Sequence, residues 1–179
     1  MIADNSDKSW ETLGRTDPYY GVLTSERFRS KNLDASARDE FFASGSQSMV
    51  DLLKNIEGKL GPIARGSALD FGCGVGRLVL PLAAELGFES ATGVDISPSM
   101  LAEARKNADR AGLKNIEFVV SDDGLSRLQG TFDFIHSFIV LHEGADVRVR
   151  FHQNLRRRAR FDELVHRPSR WWPQKRRRR

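Results

Sequence analysis

Residues 69–77 read LDFGCGVGR: an aspartate, then three glycines at alternate positions, directly behind an apolar run. Each glycine costs backbone entropy to order, so such a turn needs left-handed conformations or a main chain that a ligand can approach without meeting a Cβ. Placed between a strand and a helix, it has the form of a nucleotide-type cradle. The pattern on either side supports that placement. Ser67–Phe71 reads as a strand and Arg77–Leu86 as a helix interrupted early by Pro81. Ala91–Asp95 is a second strand, followed by a helix with Ser97 as cap and Pro98 in its first turn, running to about Ala111. Ile116–Val120 is a third strand and Phe132–Leu141 a fourth, so apolar that both its faces are expected to be covered. Short apolar runs alternating with helical patterns predict an α/β fold with a parallel sheet.

Upstream, Phe42, Met49, Leu52, Leu53, Ile56 and Leu60 recur at spacings of one helix face, predicting a helix from about Ala37 to Leu60. The first forty residues are polar with scattered aromatics (Trp10, Tyr19, Tyr20, Phe28), and TDPYYG predicts a turn because Asp-Pro disfavours helix at the aspartate. This stretch is expected to be a loop or short helical cap outside the core.

Open α/β sheets bind ligands at the C-terminal ends of their strands, and three features gather there. Gly72, Gly74 and Gly76 open a helix whose N-terminal amides would favour negative charge. Asp95, 19 residues past Gly76, can accept hydrogen bonds from both hydroxyls of a ribose, and Ser97 already supplies the helix cap that would otherwise explain an acid there. Asp122 and Asp123 follow the third strand, where a carboxylate can accept from an adenine amino group. Together they describe an adenosine.

The stretches ALDFGCGVGRLVLPLA, ATGVDISPSMLAEARKNA, IEFVVSDD and FDFIHSFIVLHE resemble the class I S-adenosylmethionine-dependent methyltransferases over about residues 66–143, and DPYYGVL is similar to the N-terminal cap of some members. The resemblance implies a Rossmann-like three-layer α/β/α sandwich with a mostly parallel sheet of strand order 3-2-1-4. Glycine spacing agrees, since dinucleotide-binding turns separate their second and third glycines by two residues and here one intervenes. Asp70 would repel a pyrophosphate but suits the neighbourhood of the methionyl ammonium. By the resemblance, Gly72 and Gly74 let the backbone approach the methionyl and sugar parts of S-adenosylmethionine, with Gly76 in the same cofactor-binding turn, Asp95 holds the ribose, Ile96 lines an adenine face, and Asp122 or Asp123 reaches the adenine amino group. Cys73 belongs to this set by its place in the loop; burial or backbone geometry explains it better than nucleophilic chemistry.

His142, at the mouth of the fourth strand, is the candidate general base, with a surface or structural histidine as the plainer reading. His136 is expected in the core. Glu143, His142 and His152 match no compact ligand motif, so no metal is expected. Tyr19 and Tyr20 are read either as lid residues over the cofactor or as packing of the cap; both readings stay open.

Charge divides the chain. Residues 1–144 hold 15 Lys+Arg against 21 Asp+Glu, net −6, whereas residues 145–179 hold 13 against 3, net +10. The division is therefore residues 1–36 as cap, 37–144 as the cofactor-binding domain, and 145–179 as a basic tail expected to be irregular or disordered. The tail does not write the family's remaining strands; VRVRF is its only strand-like run. The fourth strand would then lie at a sheet edge, and the chain alone would be marginal or aggregation-prone. Two explanations stand: a truncation or wrong reading frame, or a functional tail in which basic residues interleaved with Phe151, Phe161, Trp171 and Trp172 contact nucleic acid. The function expected is methyl transfer from S-adenosylmethionine to an unidentified acceptor by in-line displacement. Its alternative is an incomplete adenosine-binding or nucleic-acid-associated protein. With neither a signal-peptide pattern nor a run of about 20 apolar residues, the protein is expected to be soluble and cytoplasmic, without membrane partners. Its single cysteine, Cys73, excludes an internal disulfide and suits a reducing compartment; oligomeric state is not legible.

Overall fold

The computed structural model describes residues 6–120, 127, 128 and 130–138. Strands β1 (Ser67–Phe71), β2 (Ser90–Asp95), β3 (Ile116–Val120) and β4 (Phe134–Ser137) form one sheet of order β3-β2-β1-β4, parallel throughout. This is the Rossmann-like α/β arrangement. Helices α3 (Ala35–Leu60), α4 (Val79–Ala84) and α5 (Pro98–Arg110) pack on one sheet face, where Met49, Leu53, Val79, Leu82 and Leu101 meet Ala68, Ala91 and Phe134. On the opposite face Leu69, Phe71 and Val94 cluster with Leu128 and Phe132.

Local chemistry sets the helix ends. The Asp34 carboxylate accepts the Ala37 N–H to start α3, and Gly61, at φ 84°, ends it in the left-handed region. The Ser97 hydroxyl accepts the Met100 N–H, with Pro98 opening α5. No helix among the described residues is long and apolar enough to cross a membrane.

Three expectations about elements are corrected. Of the two readings the N-terminal segment takes the short helical one, but it is not outside the core: α1 (Ser6–Thr16) and α2 (Pro18–Val22) break at Asp17, two 3-10 turns follow, and Tyr19 and Phe28 are buried with Phe41, Val75 and Met100. Phe41 meets the rings of Tyr19 and Phe28 edge-on at 5.0 and 5.3 Å. The buried face of α3 is Ala37, Phe41, Gly45, Met49 and Leu53, so Phe42 only flanks it, and Leu60 is 65% exposed. Met49 and Leu53 are shared with the expected face, but small residues at 37 and 45 and the adjacent pair Phe41–Phe42 leave its N-terminal half undetermined by the spacing of large apolar side chains. Finally, β4 starts at Phe134, two residues later than expected, and Phe138, just past Ser137, is 54% exposed, while the expected end at Leu141 lies outside the described residues.

Candidate functional site

The glycine turn is stapled to its surroundings by its own backbone. The chain leaves β1 at Phe71, and the N–H groups of Gly72 and Cys73 both donate to the Val94 carbonyl, at 2.7 and 3.0 Å. Gly74 N–H donates to Asp95 Oδ2 at 2.9 Å, and the buried Asn107 of α5 donates through Nδ2 to the Val75 carbonyl at 3.0 Å. Gly74 and Gly76 have φ of 53° and 94°, where a side chain is strained, and a Cβ on Gly74 would lie 2.6 Å from Val22 Cγ2 of α2. Close packing and backbone conformation together demand these glycines.

The helix expected to open at Arg77 begins at Val79, and it is only six residues long. Residues 72–78 are turn, held by Gly76 N–H to the Cys73 carbonyl and Leu80 N–H to the Gly76 carbonyl.

Asp70 and Asp95 lie on the sheet face that α3, α4 and α5 cover, at the C-terminal ends of neighbouring strands; Asp70 stands opposite Gly93, which has no side chain between them. Both oxygens of Asp95 accept backbone N–H groups, Oδ2 from Gly74 and Oδ1 from Ser97 at 2.9 Å. Burial nevertheless raises its pKa, with the Asp70 charge adding to the rise and the Ser97 and Gly74 bonds opposing it. Asp70 is 2% exposed, and His136 of β4, its partner across the β1–β4 register, approaches with Nδ1 3.2 Å from Oδ1. Neither carboxylate has a lysine or arginine within ion-pair distance among the described residues. The sequence places His136 in the core; only the sheet order brings it beside Asp70.

Cys73 is buried in the main core, its Sγ close to Gly93, and burial pushes its thiol pKa well up, with Asp95 and Asp70 reinforcing the effect. Ile96 is half-buried in the turn between Asp95 and Ser97. Asp122, Asp123 and His142 lie outside the described residues, as do Glu143, His152 and all of 145–179. Among the described residues no three His, Cys, Asp or Glu converge as a metal site.

Around this turn the cap is packed, which decides between the readings of Tyr19. Its hydroxyl lies 2.8 Å from Asn107 Oδ1 and 3.1 Å from Glu103 Oε1, and its ring is buried against Phe41 and Phe42. The Tyr20 ring carries the Arg29 guanidinium at 3.6 Å. Tyr19 thus packs α2 onto α3 and α5 and is not a lid. Sequence reading missed Glu11 of α1: its carboxylate accepts the Ser97 hydroxyl at 2.8 Å, and the Ser99 N–H at 3.1 Å and hydroxyl at 2.7 Å, at the start of α5. The Ser99 hydroxyl leads the causes that lower its pKa to about 2. Arg77 was also unmarked; its guanidinium is bound by the hydroxyls of Ser44 and Ser48, and burial lowers its pKa. Gly45 makes room for it on α3.

Comparison with known proteins is consistent with this geometry. The family model described as a methyltransferase domain matches residues 68–161. Aklanonic acid methyltransferase DauC of Streptomyces sp. strain C5 is 37% identical over 84 residues, 46% of this chain and 35% of that protein. The 23S rRNA (uracil(1939)-C(5))-methyltransferase RlmD of Marinomonas posidonica is 44% identical over 63 residues, 35% of this chain and 14% of that protein. The match therefore spans about a third or less of these relatives' own lengths. The solved magnesium protoporphyrin IX methyltransferase (ChlM) from Synechocystis PCC 6803 with bound SAH superposes with a TM-score of 0.61 at 21% identity, covering 88% of this chain and 69% of that one. At that identity the likeness is one of fold.

Proposed function

The chain belongs to the methyltransferase domain family, and on that premise we propose that it binds S-adenosylmethionine at the C-terminal ends of β1 and β2 and transfers its methyl group to an acceptor. The observation that carries this reading is the pair Asp70 and Asp95: two carboxylates on one face, close enough that one charge raises the other's pKa, with no lysine or arginine beside either among the described residues. Such a place attracts a cation and repels a pyrophosphate. It fits a ligand whose amino-acid end carries an ammonium.

In this reading Asp70 faces the ammonium. Asp95 retains a lone pair on each oxygen, after accepting Gly74 and Ser97, for the ribose hydroxyls. Gly72, Gly74 and Gly76 let the backbone take the left-handed conformations that bring the turn to the ligand, and Cys73 contributes backbone alone. Ile96 lines the adenine, Asp122 or Asp123 accepts from its amino group, and His142 approaches the acceptor as general base. When bound, the cofactor supplies an electrophilic methyl on a sulfonium, so the chain's own contribution is orientation and exclusion of water.

Calorimetry of the folded protein with S-adenosylhomocysteine tests the reading. Saturable binding, weakened at least about tenfold by Asp95→Ala, is expected; no heat from folded protein overturns it. A second reading, nucleic acid as acceptor or partner, is favoured by the net +10 of residues 145–179. It requires RNA binding that falls steeply with salt and disappears when residues 156–179 are deleted.

A further inference from the structure

The geometry points to His136 as a positioning residue for the cofactor site, holding the Asp70 carboxylate toward the cationic amino-acid end of the ligand; this rests on the cofactor reading above. Asp70 and His136 are register partners on adjacent parallel strands, with side chains 3% and 11% exposed and Nδ1 3.2 Å from Oδ1. A carboxylate oxygen accepts in this contact, and the ring nitrogen donates to it when Nδ1 carries the proton. The ring cannot easily turn away, because it stacks between Phe134, at 6.3 Å and 13°, and Phe138, at 6.4 Å and 11°, its neighbours on the same strand face.

The choice of donor matters for what Asp70 can still do. The imidazole occupies one lone pair of Oδ1, fixes the carboxylate's rotamer, and leaves the remaining lone pairs for a ligand at the residue two before Gly72. Both residues sit at the C-terminal ends of their strands, where the glycine turn starts, so the oriented carboxylate is directed to the ligand's side of the sheet. A histidine that served packing alone would give the same burial, but it would not discriminate between ligands with and without a cation.

The experiment exploits that difference. Binding of S-adenosylhomocysteine and of 5′-methylthioadenosine, which lacks the amino-acid end, is measured by calorimetry on the full chain and on His136→Leu, His136→Asn and His136→Gln. His136→Leu is expected to weaken S-adenosylhomocysteine about tenfold and to leave 5′-methylthioadenosine unchanged. His136→Asn, whose amide nitrogen takes the place of Nδ1, is expected to restore the difference; His136→Gln, whose donor lies one bond further out, is not. If His136→Leu does not fold, as judged by circular dichroism, the Asn and Gln variants decide by the same contrast. Equal weakening of both ligands, or no weakening of either, overturns the positioning role while leaving the cofactor site standing. A folded wild-type protein that binds neither ligand overturns the site and this inference with it.

Discussion

Glu11→Gln removes the charge by which α1 is fastened to the start of α5, and the size of its effect follows from the geometry. The carboxylate accepts from Ser97, from Ser99 twice and from Arg15, and its pKa falls from 4.5 to about 2. At about 1.36 kcal/mol per tenfold change in proton affinity, full linkage sets a ceiling of about 3 kcal/mol. The side chain is 23% exposed, so solvent screens part of this, and capping and dipole interactions at helix N-termini contribute about 1–2 kcal/mol. The variant should therefore lose about 1–2 kcal/mol at neutral pH, a fall in melting temperature of about 2–8 °C for a chain of this size. Because the folded-state pKa is depressed, the contribution is complete above the ordinary 4.5 and is lost as pH falls toward about 2. Urea denaturation of both proteins, followed by circular dichroism between about pH 7 and pH 3, should show a gap that closes with acid. Equal midpoints at pH 7, or a gap that persists unchanged at pH 3, would refute the argument that an ionised Glu11 clamps these helices.

Two glycines of α3 should respond to alanine in opposite directions. A Cβ at Gly45 would sit on the Arg77 carbonyl oxygen, and the substitution should cost about 2–3 kcal/mol in denaturation midpoints. At Gly58 a Cβ meets nothing within 4 Å, and alanine should add about 0.5–1 kcal/mol of helix stability. The Cys73 thiol, buried and with its pKa raised by burial, should not react with Ellman's reagent in the native protein and should titrate as one thiol in urea; rapid native labelling would contradict its place in the core. Cofactor affinity should fall in acid through Asp95. Its carboxylate accepts ribose hydroxyls fully only when ionised, and burial raises its pKa above 3.8, so the loss should begin at a higher pH than for an ordinary aspartate. Calorimetry with S-adenosylhomocysteine down to about pH 4 checks this; an unchanged affinity there would remove Asp95 from the ribose.

Much of the frame is legible from local chemistry. The limits of β1 and β3 follow directly from apolar runs bounded by turn residues, and α5 is written by a Ser97 cap, Pro98 at its start and a glycine beyond its end. Asp70, the glycines and Asp95 are recognisable because a sharp turn after a strand imposes its requirements on consecutive residues. The aromatics of the first forty residues were not legible as core, since Trp10, Tyr19 and Phe28 stand nine residues apart on separate short helices and show no period until tertiary packing gathers them on Phe41.

What the sequence by itself determined is therefore what depends on neighbours along the chain: the strand and helix succession, the left-handed turn and the identity of the acids that border it. Tertiary structure alone decided the pairings made at long range. His136 meets Asp70, 66 residues away, only because β4 lies beside β1 in parallel register. Glu11 reaches Ser97 and Ser99, and Asn107 holds both Tyr19 and Val75, because α1, α2 and the glycine turn converge on α5. Local propensity acts over a few residues, whereas the electrostatics of a site are summed over whatever the fold brings within a few ångströms, and that sum is written in no single segment.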